Sequence, residues 1–190
     1  MQGWIWQKKR LCLFLLLGLL QLGWQNAFAR QGVSIASGYG AAHIVPIRLG
    51  LQTEFEKRWR CESEWPIGGY WEGSLYSMRG QKGASLDSHR SLQAVAAAGV
   101  IRFERAKETV VGWPYIELGI GVSWLTQKEI GGRNLGIHYQ FEDRFGIGFR
   151  FGKNREYDIG YKAIHFSNAY IGSHNHGINL HVLSLGYWFH

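Results

Sequence analysis

Cysteine is close to absent from this chain of 190 residues. Of its two cysteines, Cys12 lies in an N-terminal apolar run and only Cys61 follows it, which excludes an intramolecular disulfide once that run is removed. Proline is scarce, at 3 residues, and no linker, internal repeat or low-complexity tract divides the chain, so one domain is expected. No run after residue 29 is long and apolar enough for a spanning helix. After residue 29 no Lys/Arg run or basic helical stripe is present, which argues against a nucleic-acid partner. Acidic residues stop at Asp158, and none occurs between it and the C-terminus.

What is there begins with an export signal. Lys8, Lys9 and Arg10 precede an apolar run over residues 11–20, and Ala27-Phe28-Ala29 supplies a small-x-small cleavage site. The run is too short for a comfortable membrane helix, so residues 1–29 are read as a signal peptide rather than an uncleaved anchor. Residues 30–190 then form the exported domain. The signal holds three of the 21 Lys+Arg and none of the 14 Asp+Glu, which leaves a net charge of +4 on the remainder. That excess is compatible with an anionic surface without specifying one.

Glycine (26 residues) and aromatics (15%) are abundant. With export and alternating polar and apolar positions, they predict an all-β fold, an eight-stranded antiparallel transmembrane β-barrel. Strands are expected at residues 32–40, 44–57, 69–79, 91–105, 113–125, 135–151, 156–168 and 178–189. Turns are expected at Gly152-Lys153-Asn154 and Gly131-Gly132-Arg133-Asn134, and a loop at 79–90. In 135–151, Phe141, Phe145, Ile147, Phe149 and Phe151 share one face, and Glu142, Arg144, Gly146, Gly148 and Arg150 the other. Placing the apolar set outward buries it in lipid and leaves Glu142 and Arg144 to form interior ion pairs. The last segment ends Tyr187-Trp188-Phe189-His190, aromatic as such barrels usually end, with His190 a small departure. A soluble eight-stranded barrel is the rival, but it would put the apolar face inside. Trp59, Trp65, Tyr70, Trp71, Tyr76, Trp113, Tyr115 and Trp124 are expected as interface girdles.

The candidate chemistry lies near the C-terminus, in His165-Phe166-Ser167-Asn168. His165 and Ser167 point to one face of a strand, with Tyr157, Ile159, Tyr161 and Ala163. With both termini periplasmic, that strand ends on the cell-exterior side, so a base and a nucleophile face the outer leaflet. Asn179 shares the outward parity of Leu183 and Leu185 and is expected beside Ser167, within reach of His165. Asn168, on the opposite parity, offers an amide or a nearby backbone N–H to an oxyanion. Asp143 has outward parity but is expected nearer mid-membrane and is assigned no role. His165, His174, His176 and His181 invite a metal reading, yet their spacing matches no established site and no metal is expected.

Gly69-Tyr70-Trp71-Glu72, Pro114-Tyr115-Ile116-Glu117-Leu118-Gly119-Ile120-Gly121, Asn134-Leu135-Gly136 and Phe141-Glu142-Asp143-Arg144-Phe145-Gly146-Ile147-Gly148 form a series of blocks. Ala163-Ile164-His165-Phe166-Ser167-Asn168-Ala169 follows, then Asn175-His176-Gly177-Ile178-Asn179. Together they resemble the outer-membrane lipid A 3-O-deacylase family over residues 32–189. The resemblance implies a serine esterase that removes the acyl chain ester-linked at position 3 of lipid A, without metal or cofactor. By that resemblance His165 matches the general base, Ser167 the nucleophile and Asn168 a residue that helps hold the oxyanion. The family's acidic residue falls on Asn179, which can orient an imidazole but supplies no charge. Lipid A, or lipopolysaccharide, in outer-membrane lipid is the expected partner, with a homodimer also open. Two rivals stand beside this reading: a structural or adhesive barrel whose site has decayed at Asn179, and a phospholipase-type esterase.

Overall fold

Side-chain character alternates with period two along the long segments, and each settles as a strand with two unlike faces. The computed structural model describes residues 29–80 and 90–189. The signal peptide up to residue 28, most of the 79–90 stretch and His190 lie outside the described residues. The strands are β1 (Gln31–Gly40), β2 (Val45–Glu54), β3 (Ile67–Arg79), β4 (Ser91–Glu104) and β5 (Trp113–Leu125). They continue with β6 (Glu129–Ile130), β7 (Arg133–Asn134), β8 (Tyr139–Phe151), β9 (Tyr157–Ser167) and β10 (Ile178–Trp188). All but β6 and β7 close an antiparallel barrel in the order β1-β10-β9-β8-β5-β4-β3-β2.

The closing pair runs from Gly32↔Trp188 to Gly40↔Leu180, so the barrel has no open edge. Closure matters because hydrocarbon offers backbone N–H and C=O groups no partner. The outer wall is apolar: Ile35, Leu49, Leu51, Leu75, Leu118, Ile147, Leu183 and Leu185 are all exposed. This is the inside-out pattern of a membrane barrel, and the soluble alternative does not fit it. The sixth crossing starts at Tyr139, later than expected. Gly136 turns the chain there at φ +77, and Leu135 drops, fully buried, into the barrel mouth.

The interior has two zones. The middle and the end that carries both chain termini hold charge. Arg48 and Arg144 both bridge Glu72, Arg144 also pairs with Glu142, and Arg102 joins Glu117 (2.7 Å) to Asp158 (2.8 Å). Lys162 completes the Glu117 group at 2.8 Å. Tyr70, Tyr76 and Tyr115, expected in the girdles, are instead inside. Their hydroxyls donate to Glu117 (3.0 Å), Glu142 (2.9 Å) and Asp158 (2.7 Å), because their positions have inward parity and the carboxylates need donors. Gly148 and Gly160 make room for this: a Cβ on either would lie 2.4 Å from the Tyr115 hydroxyl. The outer end is an apolar plug of Ile44, Met78, Leu92, Leu125, Phe166 and Leu180, among others. The alternation, which placed Glu142 and Arg144 inside as ion pairs, gave no sign of that plug.

Candidate active site

The site is built from the top of β9 outward. Phe166 and Ile164 point inward and are buried, and Phe166 meets Tyr76 edge-on at 5.2 Å. Anchoring these even-numbered positions in the plug fixes the odd-numbered ones on the wall, so His165 and Ser167 face outward and are half-buried. The β9–β10 register sets Asn179 directly opposite His165, one step below Ser167 rather than level with it.

His165 Nδ1 and Asn179 Oδ1 are 2.5 Å apart. An amide oxygen only accepts, so Nδ1–H donates and Nε2 is left as the bare, basic nitrogen. The ring leans over Gly177, where a Cβ would lie 3.0 Å from His165 Cε1 and 3.7 Å from Nε2. Gly177 is also left-handed, at φ +60, so both the backbone and the imidazole require glycine there. Ser167 lies opposite Phe141 of β8, and its hydroxyl has no hydrogen-bond partner among the described residues. No hydrogen bond yet joins it to His165; such contacts are often formed only with substrate in place.

Two connections brace this corner. Arg133 Nε donates to Gly177 O at 2.6 Å, and its Nη2 reaches His176 O. The arginine is thereby committed to the loop. Asn134 N donates to His176 Nδ1 at 3.2 Å, and His176 N returns to Asn134 O at 3.1 Å. The Asn134-Leu135-Gly136 block is therefore a brace under the 168–177 loop.

Asn168 is part of the same brace. It is fully buried, and its side-chain amide donates to Leu135 O (2.7 Å) and His174 O (2.6 Å). Its backbone N–H donates to Asn175 Oδ1 at 3.0 Å. The structure thus brings His165, Ser167 and Asn179 together on the wall, and keeps the Asn168 side chain behind it with its donors occupied. The two residues that follow, Ala169 (φ 50) and Tyr170 (φ 60), are both left-handed without being glycine. Such backbone costs about 1–3 kcal/mol per residue and clusters at functional sites.

Asp143 is where the sequence reading departs most from the structure. It is not nearer mid-membrane: the β8–β9 register sets it opposite His165. Asn179, His165 and Asp143 thus form one row across β10, β9 and β8. The other histidines are separately engaged. His181 Nδ1 lies 2.6 Å from the Tyr161 hydroxyl, and His174 Nδ1 lies 3.0 Å from Ser173 Oγ. Among the described residues no three His, Cys, Asp or Glu side chains gather as a metal site. Gly177 went unnoticed in the sequence, although its place in the Asn175–Asn179 block was visible.

The family model for lipid A 3-O-deacylase (PagL) matches residues 45–188. The lipid A deacylase PagL of Pseudomonas aeruginosa is 34% identical over 177 residues, covering 93% of this chain and 96% of that protein. The Bordetella bronchiseptica protein of the same name is 35% identical over 75 residues, 40% of this chain and 41% of its own length. A crystal structure of the outer-membrane enzyme PagL superposes with a TM-score of 0.74 at 31% identity, covering 82% of this chain and 98% of that one.

Proposed function

This chain belongs to the lipid A 3-O-deacylase family, and from that membership we propose that the outer-wall row is a serine esterase site. The protein is an outer-membrane hydrolase that acts on lipid A, releasing the acyl chain ester-linked at position 3. Ser167 Oγ attacks the acyl carbonyl carbon while His165 Nε2 takes the hydroxyl proton. The carbonyl electron pair moves to oxygen, giving a tetrahedral oxyanion. As it collapses, the bond to the sugar oxygen breaks and Nε2–H returns its proton to that oxygen. Water, deprotonated by the same nitrogen, then hydrolyses the acyl-serine. Asn179 holds the ring in the tautomer that keeps Nε2 bare.

Asn168 serves the oxyanion through the backbone. By locking the loop behind the wall it holds the strained Ala169–Tyr170 turn, whose N–H groups follow the nucleophile. The acyl chains lie along the apolar exterior. Export through a signal at residues 1–29, leaving a single domain at 30–190, completes the reading. A homodimer is tested by cysteine crosslinking in intact membranes.

The observation that carries this reading is the His165–Asn179 hydrogen bond on the lipid-facing wall, in the strand that bears Ser167. The test is mass spectrometry of lipid A from cells expressing the protein. Ser167→Ala and His165→Ala are expected to leave the 3-linked chain in place while the barrel assembles. Loss of that chain in the Ser167→Ala cells would refute the mechanism. A folded wild-type barrel that releases nothing favours the structural reading, and release from phospholipid alone favours the phospholipase.

A further inference from the structure

Resting on the esterase reading above, we propose that Asp143 is the charged partner of the His165 imidazole. It is a positioning residue that supplies from β8 the negative charge that Asn179 cannot supply from β10.

Three observations converge on it. First, Asp143 and Asn179 flank His165 in a single row. Directly opposed residues of neighbouring strands have Cβ atoms about 4.5–5.5 Å apart, so both side chains lie within electrostatic range of the ring. Second, Asp143 is out of character for its surroundings. Its outward neighbours on β8 are Phe141, Phe145 and Ile147. Among the described residues of the eight barrel strands, the one other outward-facing charged side chain is Arg79, at the tip of β3. A carboxylate on the lipid face of a barrel is disfavoured, and an ionisable residue at such a position marks function and calls for a partner. Third, that partner is present. The group opposite Asp143 that can become a cation is His165, whereas the neighbouring carboxylate, Glu142, is buried behind the wall. Asp143 is exposed and makes no hydrogen bond among the described residues.

The chemistry fits this placement. Before attack the imidazole is neutral and Asp143 gains little from it. When the Ser167 Oγ–H bond breaks and the Nε2–H bond forms, the ring becomes a cation while Nδ1–H stays on Asn179. Asp143 takes no proton in this step. Its attraction to the ring therefore grows in the transition state, the condition for raising turnover rather than binding. Division of labour follows: Asn179 sets the tautomer and Asp143 supplies the charge.

The test uses the folded full-length protein in detergent micelles, purified lipid A as the probe, and rates normalised to the folded fraction seen by heat-modifiable gel mobility. Asp143→Asn, nearly isosteric, is expected to lower kcat about ten- to a hundredfold with KM unchanged, less than the roughly 10⁴-fold seen when the carboxylate of a hydrogen-bonded triad is neutralised. Adding Asn179→Glu to Asp143→Asn restores kcat to within a few-fold of wild type, since the charge returns from the opposite side of the ring. An unchanged kcat in Asp143→Asn, a loss confined to KM, or a double variant no faster than Asp143→Asn overturns the proposal. Ser167→Ala, run alongside, separates the two levels. Activity in Ser167→Ala sinks the esterase reading itself, whereas an inactive Ser167→Ala beside a fully active Asp143→Asn sinks only the role of Asp143.

Discussion

Glu142 and Asp143 are consecutive carboxylates on β8, and the wall of the barrel separates them. Glu142 is fully buried, paired with Arg144 and hydrogen-bonded by the Tyr76 hydroxyl. Asp143 faces the lipid side, with the His165 imidazole opposite and no hydrogen bond among the described residues. The inner charge is fully compensated in the resting protein, so it contributes rigidity and has little left to give a reaction. The outer one is uncompensated until the base is protonated. One residue of displacement along a strand thus exchanges a structural role for a chemical one, because side chains alternate across the sheet.

The largest effect that probes this contrast is on the inside. Glu72 is shared by Arg48, Arg144 and Gln52. Glu72→Ala leaves two buried guanidinium groups short of a carboxylate, and breaking such a pair costs about 3–5 kcal/mol. Urea unfolding of barrels in lipid vesicles should register that loss, while fatty-acid release per folded molecule stays near wild type. If activity per folded barrel falls as far as in Asp143→Asn, the two faces are not independent and the comparison breaks.

The next effect reverses the pattern. Gly177→Ala touches the site with little cost to the barrel. The new methyl would lie 3.0 Å from His165 Cε1 and from Phe166 O, so the ring must shift from its present position. Displacements of about 1 Å can cost about a hundredfold in rate, and the smaller shift forced here is expected to lower kcat about tenfold or more. The unfolding midpoint should move by much less than for Glu72→Ala, reflecting mainly the left-handed backbone at φ +60. A Gly177→Ala protein with wild-type kcat would show that the base does not depend on the space above that glycine.

The architecture was largely legible in the sequence, because period-two alternation names both the strand and its outward face. His165, Ser167 and Asn179 were placed on one patch from parity and the β9–β10 turn alone, and the register sets Asn179 beside His165. The height of Asp143 was legible too and was missed. Asn154 was identified at the turn, and the hairpin folds symmetrically about it, with 11 residues from Asn154 to either Asp143 or His165. The apolar plug and the Arg133 brace were not legible. Both depend on the 126–138 connection folding back over the mouth, where Leu135 and Ile130 fill space that no periodicity announces. Asn168 shows the same limit. Its parity pointed inward, and only the structure reveals that Leu135 and His174 carbonyls occupy its amide.

The smallest expected effect tests the outer wall as a substrate surface. One row below His165, Ala163 lies between Phe145 of β8 and His181 of β10. A small residue between two rings makes a furrow that leads down from the catalytic row, and the Tyr161–His181 contact holds one bank of it. Its inward neighbour, Lys162, is buried against Glu117. Ala163→Leu would fill the furrow without reaching Lys162, so stability should be unaffected. If an acyl chain lies there, the variant raises KM about three- to tenfold with kcat little changed, because a group that binds substrate and transition state alike is being obstructed. Steady-state kinetics on lipid A in detergent would resolve it. A fall in kcat at constant KM would mean that Ala163 bears on the catalytic row instead, and that the chemical face of β9 extends further from Ser167 than the row of His165.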